Sequence, residues 1–316
     1  MNYSEWLYWE LIKKHKSGNS FERWSLRHLH QETYLNRLAI AVLRYNKDKN
    51  KECNVRVNSI WVDGTPQAFG AARTNKVKCE LADLLFIIEE LDSNGDELMR
   101  KGMLLQGKVT RHPKKIDSNN STKKERTLFQ KLDRTRPLTL RAGTKDSTSV
   151  IGSYHFDSSE DEGMFDCSRF LLMPKHTVDP MLKLVFNEVW PFHITWPKDF
   201  NSNLMVTGDT LSNFVLNMYK SKNLGKPIVS PEICDWSRMV KDLENKYKGI
   251  RMNGHDRQQR IYSSNIASFS VIDRFSNSPK VQPHSFPIEQ EELNNSNLPY
   301  ISIIKVTIES PLHQID

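Results

Sequence analysis

The chain has 316 residues, of which 38% are hydrophobic and 26% charged, a composition typical of a soluble globular protein with one large domain or two modest ones. No apolar run approaches the roughly 20 residues of a membrane-spanning helix, and the first residues lack the basic start and apolar stretch of a signal peptide. The four cysteines form no C-x-x-C pair, which argues against structural zinc or disulfides and predicts a cytoplasmic location.

Two helices are predicted before the first strand. Ser4 can cap a short helix over residues 5–16, and a longer helix is predicted at about 29–46, where apolar residues recur at helical spacing. Glu32 lies on the apolar face near the start of the longer helix. A carboxylate at that point stabilises the N-terminal end of a helix electrostatically, which is one explanation for its presence.

Polar side chains interrupt two apolar, strand-like runs in the next part of the chain. Asp83 lies within residues 79–88, while Gln106 and Lys108 lie within residues 102–109. Burying an unpaired polar group costs roughly 2–7 kcal/mol, so these side chains predict a functional site rather than a simple core. Because side chains alternate along a strand, Gln106 and Lys108 point to the same face.

The segment between the two runs predicts how they pair. It contains Asn94-Gly95, the strongest short-range signal for a β-hairpin. Folding back at this turn brings Asp83 opposite residues 106–109. One acid, one amide and one ammonium group then lie within reach of a single cation, as in a metal-dependent phosphodiesterase.

At these residues the chain resembles the PD-(D/E)xK nuclease superfamily, in which a helix precedes a strand bearing an acid and the next strand bears Glu-x-Lys or Asp-x-Lys. The second motif here is Gln106-Gly107-Lys108, the variant that resembles Mrr-like restriction endonucleases. The resemblance covers about residues 28–145. A predicted helix at 122–134 and a predicted strand at 137–141 complete the superfamily's core order.

The resemblance implies an α/β fold with a restriction-endonuclease-like core, a central mixed sheet flanked by helices. We divide the chain into an N-terminal helical lead (1–27), the nuclease core (28–200) and a mostly helical C-terminal extension packed on the core (201–316). Further strands are predicted at 149–156, 167–173 and 300–308, and two helices are predicted to begin with Asp209 and Asp235 as caps.

The resemblance also implies a role for each motif residue. Asp83 would bind Mg²⁺ or Mn²⁺, with the backbone carbonyl of Gly107 as a second oxygen ligand. Gln106 would orient the metal shell or a water molecule, and Lys108 would hold the attacking water and stabilise charge on the phosphate. Glu32 would be an accessory acid, the alternative to its role at the helix N terminus.

The net charge of +7 is concentrated directly after the second motif. Residues 111–145 contain eleven Lys or Arg and only three acidic residues, so the rest of the chain is close to neutral. Such a segment suits a polyanion such as DNA or RNA, although a solvated loop and helix face is the alternative. The candidate nucleic-acid-binding residues are Lys114, Lys115, Lys123, Lys124 and Arg126.

These observations predict a metal-dependent endonuclease, a hydrolase that favours DNA over RNA and acts in bacterial restriction or anti-phage defence. Two alternatives stay open: an inactive nucleic-acid-binding protein of the same fold, which the glutamine at 106 favours, and a subunit of a larger defence complex with a protein partner. No phosphate-binding loop, dinucleotide fingerprint or nucleophile elbow is present. The aromatic stretch 190–196 could stack on bases, but core packing is the preferred interpretation.

Overall fold

The computed structural model describes residues 21–30, 32–62, 64–73, 75–110, 114–156, 162–174, 192–221, 223–231, 233–245, 261–269, 281–282 and 299–310. The helix predicted at 5–16 lies outside these ranges. None of the helices within them combines the length and the apolar character of a membrane span.

The described residues contain five helices, which are α1 (Phe21–His28), α2 (Glu32–Asp48), α3 (Asn120–Lys131), α4 (Leu211–Lys220) and α5 (Asp235–Glu244). The helix predicted at 29–46 is confirmed as α2. Helix α3 begins after Asn119, whose side chain accepts a hydrogen bond from the backbone N–H of Thr122.

The predicted caps of the last two helices were wrong. The N-cap of α4 is Thr210, whose hydroxyl accepts from Asn213 N–H, whereas the Asp209 carboxylate accepts from the side chain of Asn217. Asp235 is the first residue of α5 rather than its cap, and its Oδ2 atom accepts from the backbone N–H of His155. Asp235 therefore joins α5 to a neighbouring strand.

Within the described residues fourteen strands form two sheets. The strands are β1 (Cys53–Trp61), β2 (Gln67–Ala72), β3 (Asn75–Glu80), β4 (Leu84–Leu91), β5 (Glu97–Thr110), β6 (Leu138–Arg141), β7 (Val150–Tyr154), β8 (Ser168–Pro174), β9 (His193–Thr195), β10 (Asp209–Thr210), β11 (Lys226–Pro227), β12 (Ile261–Phe269), β13 (Val281–Gln282) and β14 (Ser302–Glu309).

The larger sheet is mixed and has the order β10-β9-β8-β5-β4-β14-β1-β12-β13, with β11 added beside β5. β4 and β5 form the predicted antiparallel hairpin, while β5 runs parallel to β8 and β4 runs parallel to β14. The prediction of a central mixed sheet flanked by helices is therefore confirmed.

The smaller sheet, β3-β2-β6-β7, contains a hairpin that was not predicted. The apolar run 79–88 was predicted as one strand, but it divides between the two sheets. Cys79 and Glu80 end β3, and β4 begins at Leu84. The N–H of Leu81 donates to the carbonyl of Pro66 at the crossing, so the backbone stays hydrogen-bonded there.

Each face of the larger sheet carries its own apolar core. On one face, side chains of α1, α2 and α4 pack against Leu84, Phe86 and Met103. On the other face, side chains of α3, α5 and the smaller sheet pack against Leu85 and Leu104. β5 is thus covered on both sides, which accounts for its continuous burial from residue 101 to residue 108.

The final described strand lies inside the larger sheet. β14 pairs with β4 on one side and with β1 on the other. The sheet therefore spans the domain boundary that was predicted at residue 200.

Candidate active site

The polar side chains of the two motifs meet where β5 extends beyond β4. Leu84, the first residue of β4, pairs with Leu105, so among the described strands residues 106–110 of β5 pair only with β8. No described strand covers the other edge of this stretch, which we call the open edge of β5. Asp83 immediately precedes β4, and its N–H donates to the carbonyl of Leu105 at 3.0 Å.

Two carboxylates satisfy N–H groups along this open edge. Oδ2 of Asp83 accepts from Gly107 N–H at 2.7 Å, and Oε2 of Glu22 accepts from Val109 N–H at 3.4 Å. In an antiparallel ladder the N–H and C=O of one residue face the same neighbour. The carbonyl of Gly107 therefore faces the same open edge as Asp83, as the sequence-based assignment of a second oxygen ligand requires.

Gln106 binds the same carboxylate. Its Nε2 atom donates to Oδ2 of Asp83 at 2.5 Å, and its buried Oε1 atom has no hydrogen-bond partner among the described residues. An unsatisfied buried acceptor costs about 1–3 kcal/mol, so such an atom calls for a bound water or ion.

Lys108 lies near two acids on different helices, Glu125 on α3 and Glu22 on α1. Its Nζ atom is 2.7 Å from Oε2 and 3.0 Å from Oε1 of Glu125, which α3 presents to β5. The hydroxyl of Ser121, one helical turn earlier, donates to Oε1 of Glu125 at 2.7 Å. Lys108 and Glu125 are both buried, so this ion pair is shielded from water.

The acids and the ammonium group shift one another's protonation. Burial raises the pKa of Asp83 well above its usual range, and the charge of Glu22 raises it further. Burial alone would lower the pKa of Lys108, but Glu125, Glu22 and Asp83 outweigh that effect and raise it to about 12. Lys108 is therefore a permanent cation at neutral pH and can act as a charge and a donor, not as a base.

The site has oxygen donors suited to a hard cation. Among the described residues no group of three or more His, Cys, Asp or Glu side chains is arranged to hold a metal ion. Asp83, the unpartnered Oε1 of Gln106 and the carbonyl of Gly107 nevertheless form an all-oxygen set, the kind Mg²⁺ and Mn²⁺ prefer. The residues present fit such an ion.

The structure brings Asp83, Gln106, Gly107 and Lys108 together and adds two acids that sequence reasoning missed. Glu32 is the first residue of α2, and its side chain lies outside the described part of the chain. The acid that a leading helix contributes is Glu22, on α1. The sequence could have indicated Glu125, because it is the one acid in an otherwise basic helix and lies on the face of that helix that is buried.

The candidate nucleic-acid-binding residues divide into two groups. Lys114, Lys115, Lys123 and Lys124 are exposed. Arg126 is buried, and its Nη2 atom donates to the carbonyls of Asp199 and Phe200 at 2.9 and 2.6 Å. Arg126 therefore fastens α3 to the segment after β9, and its guanidinium is engaged within the fold.

No protein-family model matches this chain, and searches of curated proteins and of solved structures gave no significant match. The functional argument therefore depends on the site itself.

Proposed function

We propose that this protein is a metal-dependent nuclease of the PD-(D/E)xK type with a restriction-endonuclease-like core. The observation that carries the proposal is the cluster at the open edge of β5, where Asp83 contacts Gln106 and Gly107 and the ammonium of Lys108 lies among three carboxylates. The reaction is hydrolysis of phosphodiester bonds, and DNA is favoured over RNA as substrate.

The metal would be held by Asp83, the Gly107 carbonyl and Oε1 of Gln106. Bound there, Mg²⁺ or Mn²⁺ would polarise the phosphate and make a bound water more acidic. The chain's own residues orient the reactants around that ion. The Gln106 amide fixes the carboxylate of Asp83, and Gly107, with no side chain, leaves room for that carboxylate against the strand.

Lys108 supplies positive charge where the substrate phosphate would lie. Since its pKa is about 12, it remains protonated and can donate to a phosphate oxygen or to the attacking water. Glu125 and Ser121 hold the ammonium in position before substrate binds. Glu125 also places a carboxylate beside Lys108, in a motif where Gln106 provides none.

A cleavage assay tests the proposal. Purified protein is incubated with plasmid, single-stranded DNA and RNA in Mg²⁺, Mn²⁺ or EDTA. We expect cleavage that needs the metal and falls at least about 100-fold in Asp83→Asn and in Lys108→Met, the scale of removing a transition-state contact. Glu97→Gln, an exposed acid at the far end of β5, is the matched control. A folded Asp83→Asn protein that cuts at the wild-type rate would refute the assignment.

A second candidate function is nucleic-acid binding without catalysis. The glutamine at 106 favours it, because it replaces the second carboxylate of the superfamily motif. Binding by wild-type protein, with no cleavage in either metal, would support this alternative.

A defence-complex subunit that bound its partner through the C-terminal helices would expose apolar surface on them. Most apolar residues of α4 and α5 are buried in the two cores, among them Phe214, Met218, Trp236 and Met239. That surface is therefore not available on these helices, and we retain only a general role in restriction or anti-phage defence as part of the proposal.

A further inference from the structure

Two phenylalanine rings are exposed beside the C-terminal half of α3. Phe165 is 55% exposed and Phe200 is 39% exposed, although most of the large aromatic side chains in the described part of the chain are in the cores. Met164 N–H donates to the carbonyl of Phe129 on α3, which places Phe165 beside that helix. The ring of Phe200 lies near Lys131 of the same helix, so both rings are found along the C-terminal half of α3.

Phe200 stands on a rigidly held backbone. Arg126 donates to the carbonyls of Asp199 and Phe200, and the Asp199 carboxylate accepts from the N–H groups of Asn201 and Ser202 at 3.0 and 2.7 Å. These hydrogen bonds hold the backbone of residues 199–202, while the ring of Phe200 remains exposed to solvent. The ring is therefore presented in a fixed place, which reduces the entropy lost when a ligand stacks on it.

A basic side chain lies beside each ring. Cζ of Arg126 lies 5.9 Å and Nζ of Lys131 lies 5.7 Å from the centroid of the Phe200 ring. Cζ of Arg169 lies 4.1 Å from the centroid of the Phe165 ring. Aromatic rings combined with basic groups are what proteins use to hold unpaired bases and the phosphates between them.

The aromatic surface continues into the core. Trp196 meets Phe165 edge-on, with ring centroids 5.1 Å apart, and stacks on Phe129 at 6.4 Å with an interplanar angle of 4°. Trp196 itself is only partly exposed, in line with the core role preferred from the sequence. It supports the exposed ring of Phe165 from beneath.

We propose that the Phe165–Phe200 surface (Phe165, Arg169, Lys131 and Phe200) binds single-stranded nucleic acid, with bases stacked on the rings and phosphates near the cations. Bases in a duplex already stack on one another and present only their edges, so a duplex cannot use these rings. Lys131 also pairs with Glu162 at 3.1 Å, so a bound phosphate near Phe200 would share this ammonium with that carboxylate.

Helix α3 connects this surface to the candidate active site. Ser121 and Glu125 lie at the Lys108 end, and Lys131 lies at the Phe200 end. At 1.5 Å per residue the helix from Ser121 to Lys131 is about 15 Å long, a distance that a few nucleotides can span. Lys123 and Lys124 are exposed along the way. The inference rests on the proposed function only in identifying the bound strand as the substrate.

A binding experiment tests the surface directly. Fluorescence anisotropy of short labelled oligothymidine, oligouridine and a duplex of equal length is measured in EDTA, so that cleavage does not contribute. We expect Phe200→Leu and Phe165→Leu each to weaken single-strand binding by about five- to hundredfold, the value of one stacked base. Phe200→Trp should retain or tighten binding. Leu98→Ala, an exposed apolar site on the distant β4–β5 hairpin, is the control and should bind normally.

Several results would overturn the inference. Unchanged single-strand affinity in folded Phe200→Leu and Phe165→Leu proteins would do so, as would an equal loss for the duplex. So would wild-type self-association that both substitutions abolish while single-strand affinity stays constant, since that would make this a protein interface.

The outcomes separate this inference from the proposed nuclease. If Asp83→Asn loses cleavage while the Phe variants bind normally, the nuclease assignment stands and the surface is rejected. If the wild type never cuts but the Phe variants lose single-strand binding, the surface stands without the nuclease. DNA and RNA probes show which strand the surface prefers.

Discussion

Glu125 determines where the ammonium of Lys108 lies. Both of its carboxylate oxygens are within 3.0 Å of Nζ, and the side chain is only 2% exposed. A buried ion pair loses about 3–5 kcal/mol when one partner is removed, because the remaining charge is uncompensated. The pair therefore links the stability of α3 packing to the position of the candidate catalytic lysine.

We predict that Glu125→Gln lowers the cleavage rate at saturating DNA by about tenfold or more, since Lys108 loses the charge that positions it. Single-strand affinity in EDTA should change less than the rate. Asn120→Ala, an exposed change at the start of the same helix, is the control and should cleave normally. Circular dichroism establishes that both variants are folded, and wild-type turnover in Glu125→Gln would contradict a positioning role.

The buried imidazole of His30 makes the stability of the fold depend on pH. Its ring is 1% exposed, its Nδ1 atom is 2.5 Å from the Ser59 hydroxyl, and burial lowers its pKa to about 3. The unfolded chain takes up a proton near pH 6.5, whereas the folded chain does not until about pH 3. The contribution to stability is thus complete above pH 6.5 and is lost as the pH falls towards 3.

We expect the free energy of unfolding of the wild type to fall more steeply than that of His30→Gln between pH 6 and 4, by up to about 1.4 kcal/mol per pH unit. Urea denaturation at several pH values measures the two slopes. Ser59→Ala, which keeps the histidine, should follow the wild-type slope. Parallel curves for wild type and His30→Gln would show that another group controls the acid limit.

At the scale of elements, the β4–β5 hairpin could be predicted because its signals are local. Gly95 has φ of +86°, and Asp92 Oδ1 accepts from the N–H groups of Asn94 and Asp96, the turn chemistry that an Asn-Gly pair indicates. Alternation along β5 then placed Gln106 and Lys108 together. Folding back at the turn placed Asp83 beside them, so the centre of the candidate site could be predicted from the sequence.

The other parts of the site depend on packing between distant segments. Glu22 meets Val109 across 87 residues of sequence, and no local pattern marks that contact. The β2–β3 hairpin was missed because residues 79–88 are mostly apolar and contain no turn signal, while the change of sheet at Leu81 depends on a tertiary hydrogen bond to Pro66. Periodicity shows which face is buried, but not which partner buries it.

The junction of α1 with β5 gives a prediction at the same scale. A Cβ atom at Gly107 would lie 2.8 Å from Cδ2 of Leu26 on α1 and 3.3 Å from Oδ2 of Asp83. We expect Gly107→Val to destabilise the fold by about 1–3 kcal/mol through overpacking, and to reduce cleavage by displacing Asp83. Leu26→Ala in the same chain should restore part of the stability.

Urea unfolding of the two single variants and the double variant measures this coupling. Strictly additive losses would mean that α1 does not restrict space at Gly107. Recovery of stability without recovery of cleavage would separate the packing of α1 from the position of the Asp83 carboxylate.

At the scale of the molecule, the basic segment has two roles. Arg126 binds backbone carbonyls, Arg134 pairs with Asp166 at 3.2 Å, and Arg141 donates to the carbonyls of Asp146 and Thr148. These arginines hold the smaller sheet, α3 and their loops together. Lys123 and Lys124 of the same segment are exposed and provide external charge.

We therefore expect Lys123→Gln with Lys124→Gln to weaken nucleic-acid binding of every sequence and to flatten its salt dependence. Each lost phosphate contact lowers the log–log slope by about 0.9 on duplex DNA and about 0.7 on a single strand. Arg126→Gln should instead lower the melting temperature. Anisotropy at several salt concentrations, with metal omitted, checks the first result, and an unchanged slope in the double variant would reject this stretch as a phosphate track.

The central place of β14 has a consequence for the order of events during synthesis. Among the described strands, β14 alone joins β4 to β1 in the sheet, and Thr307 donates to Glu89 across 218 residues of sequence. Until residues 302–309 have left the ribosome, β4 has a bare apolar edge and the two halves of the sheet remain separate. Asp83 sits at the start of β4. An unfinished chain therefore lacks one neighbour of the strand that follows Asp83, and we expect the proposed nuclease activity only after residues 302–309 have been synthesised.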